Sequence, residues 1–189
     1  IGREIDCAAL EIGLNALARV QSLRLSINMS ARSIGYPRWM RILRRGLAAS
    51  PTVGERLILE ITESSAMLVP EIVIAFMDEL KAAGIAFALD DFGSGFTAIR
   101  YFKDFFFDIL KLDGAFVRNV DTDPDTRALA AALLSIGKHF QMFTVAEAVE
   151  TVQEAAMLQA MGVDCLQGFL FGAPTLKPAF LDQTARKTA

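Results

Sequence analysis

The chain has 189 residues, of which 53% are hydrophobic, and a formal net charge of −3 at pH 7. This length fits a single domain, and so large an apolar share predicts a sizeable core rather than disorder. The charge gives no basic surface for DNA or RNA and no polybasic patch for a membrane. No apolar stretch approaches the roughly 18 residues that span a bilayer, and no signal peptide is visible.

The two cysteines, Cys7 and Cys165, lie in different apolar segments and form no CxxC zinc pattern. We interpret both as reduced thiols in the core, which is typical of a cytoplasmic protein. A cytoplasmic location is therefore expected, and a membrane anchor elsewhere in a longer parent protein is compatible with it.

Apolar periodicity alternates between helix and strand along the chain. It predicts helices over residues 3–20, 36–48, 70–83, 98–103, 124–139 and 151–161. It predicts strands over residues 23–28, 57–60, 86–90, 108–111, 143–147, 164–167 and 169–171. Residues 1–189 are expected to form one domain, ending in a helix or tail over 176–189.

The acidic run at residues 121–126 lacks the central Gly and terminal Glu of an EF-hand, so it is interpreted as a helix cap. Alternating strands and helices with short connections predict parallel strands with crossover helices. About seven strands bring the pattern close to a (β/α)8 barrel. A doubly wound open sheet is the alternative.

The most informative stretch is AFALDDFGSG, residues 86–95, in which a short apolar run ends in Asp90 and Asp91. Two adjacent carboxylates at the end of a buried strand repel each other, and a divalent cation would relieve that repulsion. The alternative is that Asp90 caps the next turn and Asp91 is solvated.

Polar side chains recur where the predicted strands end. In a parallel barrel these ends meet at one mouth, where such proteins place their chemistry. An oxygen-rich set without His or Cys suits Mg²⁺ or Mn²⁺, and several carboxylates can hold two ions about 4 Å apart to cleave a phosphate ester. Lys111 could orient the water and Glu147 could bind metal or accept a proton. The set comprises Asn28, Glu60, Asp90, Asp91, Lys111, Glu147 and Gln167.

Other conspicuous residues are interpreted structurally. Trp39 is expected to pack in the core, and His139 to lie at a helix end, where a partial positive charge is favourable. The Phe105–Phe107 run is expected to form core or a contact surface.

At these residues the chain resembles the EAL-domain family, bacterial phosphodiesterases that linearise cyclic di-GMP. The residues of the motifs match, and so do the order and spacing of the motifs along the chain. The motifs are SINMSAR (26–32), LILEITES (57–64), ALDDFGSGFTAI (88–99), DILKLDGAFV (108–117), VAEAVET (145–151) and LQGFLFGAP (166–174).

The resemblance implies a TIM-like barrel whose first strand runs antiparallel to the others, and a product that is linear pGpG. It implies two Mg²⁺ or Mn²⁺ ions held by Asn28, Glu60, Asp90, Asp91 and Glu147. Lys111 would contact the catalytic water, and Gln167 would lie near the second metal or the substrate. Glu63 is similar to the glutamate that holds the DDFG loop, and Glu150 to one that supports the nucleotide site.

The chain departs from the family pattern in three places. Ala148 stands where Gly is usual, and Gly114 stands where a larger polar residue is common. The first strand, with its Glu-Ala-Leu motif and a glutamate metal ligand, is absent. We therefore expect a barrel that lacks its first strand, whose exposed edges favour a homodimer.

Three functions follow as expectations. The first is a metal-dependent cyclic di-GMP phosphodiesterase, with other signalling domains upstream in a longer protein. The second is a cyclic di-GMP receptor without catalysis, since one ligand is missing. The third is an interaction module acting through residues 92–99 and the Phe105–Phe107 run.

Overall fold

The computed structural model describes residues 1–50, 52–93, 102–176 and 178. Helices α1–α7 span Gly2–Arg19, Pro37–Ala49, Val53–Arg56, Glu63–Leu68, Pro70–Lys81, Pro124–His139 and Val152–Ala160. Strands β1–β6 span Leu25–Asn28, Leu57–Thr62, Ala86–Phe92, Ile109–Leu112, Phe143–Ala146 and Cys165–Leu166. No helix in these ranges is long and apolar enough to cross a bilayer.

The six strands form one sheet in the order β1-β2-β3-β4-β5-β6, and every neighbouring pair is parallel. The sheet curls into a partial barrel with the helices packed outside. The predicted α/β class, with parallel strands joined by crossover helices, is confirmed. The curl places the carboxyl ends of all six strands at one mouth, which is the feature that matters for the site.

The core fills the layer between the sheet and the outer helices. Trp39 on α2 contacts Phe76 on α5 at a ring-centroid distance of 5.7 Å, and Phe76 contacts Phe87 on β3 at 5.9 Å. All three side chains are buried, so this aromatic chain ties two helices to the sheet. The structural interpretation of Trp39 is confirmed. His139 lies in the last turn of α6, as expected, with its ring against Phe140.

Local signals in the sequence explain several helix ends. Helices α2, α5 and α6 each begin at a proline, whose fixed φ suits the first turn. Asp123 caps α6 by accepting a hydrogen bond from the Asp125 N–H, so the capping interpretation of residues 121–126 is confirmed.

Some predictions were wrong. The expected strand at 169–171 is a turn, which leaves six strands among the described residues instead of about seven. Cys165 is exposed on short β6 rather than buried, whereas Cys7 is buried as expected. The short helices α3 and α4 were not predicted, because four and six residues are too few for an amphipathic pattern to repeat.

Three predictions fall largely outside the described residues. They are the helix expected at 98–103, the terminal helix or tail at 176–189, and the part of the interaction module expected at 92–99.

Candidate active site

Strand register places the polar residues on one face of the sheet. The Cα of Glu60 on β2 pairs with that of Asn28 on β1 and that of Ala88 on β3. Paired positions of parallel strands share a face, and alternate residues along a strand return to it. Asp90, two residues beyond Ala88, therefore lies on the same face as Glu60. Lys111 on β4 lies there too, because Ile109, two residues before it, pairs with Ala88.

Lys111 is the electrostatic centre of this face. Its Nζ lies 2.9 Å from Glu60 Oε2, 2.8 Å from Asp90 Oδ1 and 2.6 Å from Glu147 Oε1. The Lys111 side chain is only 6% exposed. Burial alone would lower the pKa of Lys111, but the Asp90, Glu147 and Glu60 carboxylates outweigh it and raise the pKa well above its ordinary value. Lys111 is therefore a permanent cation among three acids.

The acids at this mouth outnumber this cation, and the pKa values of Glu147 and Asp91 are raised. Burial is the main cause that raises the pKa of Glu147, against the opposing effect of Lys111. Burial, followed by the charges of Asp90 and Asp113, raises the pKa of Asp91. The cluster therefore carries negative charge at a cost, and a further cation would relieve it.

Asp90 and Asp91 diverge at the end of β3. The register of β3 with β4 shifts between Leu89 and Phe92, and Asp91 adopts a positive φ of 55°. Asp90, Asp91 and Glu147 nevertheless each offer an oxygen within 4.8 Å of the other two. Asp90 is a buried strand residue and Asp91 is half-buried rather than fully solvated, whereas the residues that Asp90 would cap lie outside the described ranges.

Gln167 and Glu147 both line a cavity of about 460 Å³. Asp91, Asp113 and Arg118 also line it. Sequence reasoning did not single out Asp113 or Arg118 as site residues. Asp113 follows Lys111 by two residues, a spacing that could have indicated it. Arg118 follows a 3-10 turn, Gly114–Phe116, and apolar periodicity does not predict the direction of the chain through such a turn.

The remaining expected residues lie around this centre. Asn28 is exposed at the end of β1 and lines a separate cavity of about 400 Å³ with Thr62 and Ser64. Glu63 is buried, and its Oε2 accepts a hydrogen bond of 2.9 Å from the N–H of Gly93, the last residue of the DDFG motif. Glu150 has an exposed side chain and is not among the described residues that line either cavity.

Glu154 is a buried acid that the sequence did not indicate as part of the site. Its Oε1 accepts the N–H of Asn119, and its Oε2 accepts the N–H groups of Glu150 and Thr151. Burial would raise the pKa of Glu154, but these three backbone donors together lower it. One carboxylate thus joins the segment after β4 to the loop after β5.

The two departures in sequence, at 114 and 148, meet in space. Ala148 adopts a positive φ of 53°, a conformation that favours glycine. A Cβ on Gly114 would lie 2.8 Å from the Cβ of Ala148, closer than two such carbons approach. Gly114 is therefore the residue that makes room for Ala148 beside Glu147.

Comparison with protein families finds a match over most of the chain. The model of the EAL domain family matches residues 1–174. The bifunctional diguanylate cyclase/cyclic di-GMP phosphodiesterase MucR of Pseudomonas aeruginosa is 32% identical over 150 residues, 79% of this chain and 22% of that protein. The cyclic di-GMP phosphodiesterase PdeF of Escherichia coli is 30% identical over 157 residues, 83% of this chain and 21% of that protein. The chain thus spans about a fifth of the length of these relatives.

Solved structures share the fold. The MucR phosphodiesterase in complex with c-di-GMP matches with a TM-score of 0.79 and 29% identity, over 92% of this chain and 71% of that one. A manganese/cyclic di-GMP complex of Klebsiella pneumoniae BlrP1 matches with a TM-score of 0.77 and 28% identity, over 88% of this chain and 44% of that one.

Proposed function

Because the chain belongs to the EAL domain family, we propose that it hydrolyses cyclic di-GMP to linear pGpG in a metal-dependent reaction. The observation that carries this proposal is the convergence of Glu60, Asp90 and Glu147 on Lys111, with Asp91 beside them, at the mouth of the sheet. Relatives named as cyclic di-GMP phosphodiesterases add support.

The residues fit a pair of hard cations. The described residues at this mouth offer carboxylate and amide oxygens and no His or Cys, which suits Mg²⁺ or Mn²⁺. Asp90 Oδ1 is buried and lies 2.8 Å from the Lys111 ammonium, and a carboxylate oxygen with this one cationic partner still has a lone pair for a metal. The proposed ligands are Asn28, Glu60, Asp90, Asp91 and Glu147. When bound, the ions would polarise the phosphate and lower the pKa of a bound water.

The chain's own side chains have separate roles in this proposal. Glu147 accepts a proton from the attacking water, which is favoured by its raised pKa. Lys111 orients that water and offsets the charge that grows on the phosphate oxygens. Gln167 contacts the substrate from the cavity wall, Glu63 holds the Gly93 turn in place, and Glu150 supports the nucleotide site from the loop after β5.

The proposal extends to the setting of the domain. We place it in the cytoplasm, as a homodimer and as one module of a longer signalling protein. The supporting observations are the much greater length of its relatives and the two outer strands, β1 and β6, each paired on one side only in the described sheet.

The test is turnover of cyclic di-GMP, followed as pGpG by chromatography, with Mg²⁺, with Mn²⁺ and with EDTA. Asp90→Asn and Glu60→Gln should abolish metal-dependent turnover while the fold is retained. The matched control is Asp78→Asn, an exposed acid on α5 away from the mouth. Turnover that persists in both site variants would refute the assignment of the site. Binding of cyclic di-GMP without any turnover in the parent chain would indicate a receptor instead.

A further inference from the structure

The cavity beside the carboxylate cluster has an unbalanced charge. It is lined by Asp91, Asp113 and Glu147, and Arg118 is the one cation among its described lining residues. Lys111 is already paired with the carboxylates of Glu60, Asp90 and Glu147. A cyclic dinucleotide carries two phosphates, and the proposed metal site takes only the one that is cleaved. The neighbouring cavity open to the other phosphate has mostly acidic walls.

Arg118 is free to take that second phosphate. Its side chain is exposed, and its guanidinium has no ion-pair or hydrogen-bond partner among residues 1–50, 52–93, 102–176 and 178. A guanidinium presents two parallel N–H groups that match two phosphate oxygens, so arginine suits this contact better than lysine.

The backbone around Arg118 is fixed, although its side chain is not. Val117 and Val120 on either side of it are fully buried in the second core cluster, between the sheet and helices α6 and α7. The N–H of Arg118 donates to the Gly114 carbonyl oxygen, and the next residue, Asn119, is held by Glu154. Because Glu154 also holds the loop after Glu147, one buried acid keeps Arg118 in register with the proposed catalytic residue.

We infer that Arg118 binds the phosphate of the cyclic dinucleotide that is not cleaved, and so positions the other phosphate over the carboxylate cluster. This inference rests on the proposed function and names a positioning residue for it.

The test compares Arg118→Gln with the parent chain on two substrates. For cyclic di-GMP with Mn²⁺, KM and the calorimetric Kd should each rise about 10- to 100-fold with kcat within about twofold, as expected for a lost charged hydrogen bond that acts in binding. For bis(p-nitrophenyl) phosphate, which has a single phosphate, kcat/KM should be unchanged. Arg118→Lys should recover part of the affinity for cyclic di-GMP.

Arg19→Gln, an exposed arginine in the last turn of α1, is the matched control and should leave all these values unchanged. Unchanged KM and Kd for cyclic di-GMP in Arg118→Gln would overturn the inference. An equal loss on both substrates would also overturn it, since the residue would then act on the cleaved phosphate. If the parent chain cleaves neither substrate, the proposed function fails, and calorimetry still tests whether Arg118 contributes to binding.

Discussion

Replacing Lys111 by Met should destabilise the chain strongly in metal-free buffer. The substitution keeps much of the side-chain length but removes the one cation held at 2.6–2.9 Å from three carboxylates. Those carboxylate side chains are only 8%, 12% and 19% exposed, so water cannot take the place of the ammonium group. Removing one partner of a buried ion pair costs about 3–5 kcal/mol, a large share of the 5–15 kcal/mol typical of a domain.

The pH dependence of this loss identifies its cause. Burial already raises the pKa of Glu147 in the folded chain against the opposing effect of Lys111. Without Lys111 that opposition is lost, so the folded state should bind more protons than the unfolded state. Stability should then fall as pH rises through the folded pKa of Glu147, and the difference from the parent chain should shrink towards acid pH. Urea unfolding of both chains in EDTA, at about pH 5 and about pH 8, measures this.

Added Mn²⁺ provides a second reading of the same variant. Because the ammonium group competes with a metal ion for the same oxygens, Mn²⁺ should raise the melting temperature of Lys111→Met more than that of the parent chain. Lys103→Met, at an exposed lysine, is the control. A loss below about 1 kcal/mol that does not vary with pH would contradict the electrostatic account, because such a value is typical of a surface charge.

Three further predictions follow from the same contacts. Gly114→Ala should lower the free energy of unfolding by about 1–3 kcal/mol through the contact with the Ala148 Cβ. Adding Ala148→Gly should recover that stability in a double-mutant cycle measured by urea unfolding. Burial raises the pKa of Glu147 and, with neighbouring acids, that of Asp91; the Mn²⁺ concentration that gives half-maximal thermal stabilisation should therefore rise as pH falls, and a flat titration would contradict this. Glu154→Gln should lose about 1–3 kcal/mol at neutral pH. Since the folded pKa of Glu154 is lowered, that loss should shrink as pH falls below its unfolded value, as urea unfolding at about pH 7 and about pH 3.5, on either side of the ordinary Glu pKa, would show.

The local pattern of the sequence was sufficient for most elements. The 16-residue helix Pro124–His139 matches its prediction at both ends, because a proline, an Asp cap and apolar periodicity all act within a few residues. Strand β3 was placed correctly but runs two residues further, to Phe92. The strand prediction for 169–171 was wrong. Its aromatic residues are typical of a strand, but no partner strand lies beside it in the described sheet.

The sequence by itself determined the class of the fold and the type of chemistry at its mouth. Polar residues that follow successive apolar strands identify that mouth, because parallel strands end on the same side whatever their exact register. Only the tertiary structure decided which of these residues touch. Strand register and the curl of the sheet determine these contacts. They bring Lys111 to three carboxylates, Glu154 to two loops, and Gly114 to Ala148. These contacts join segments about 20 to 50 positions apart in the chain, and the periodicity of a single segment carries no information about its distant partner.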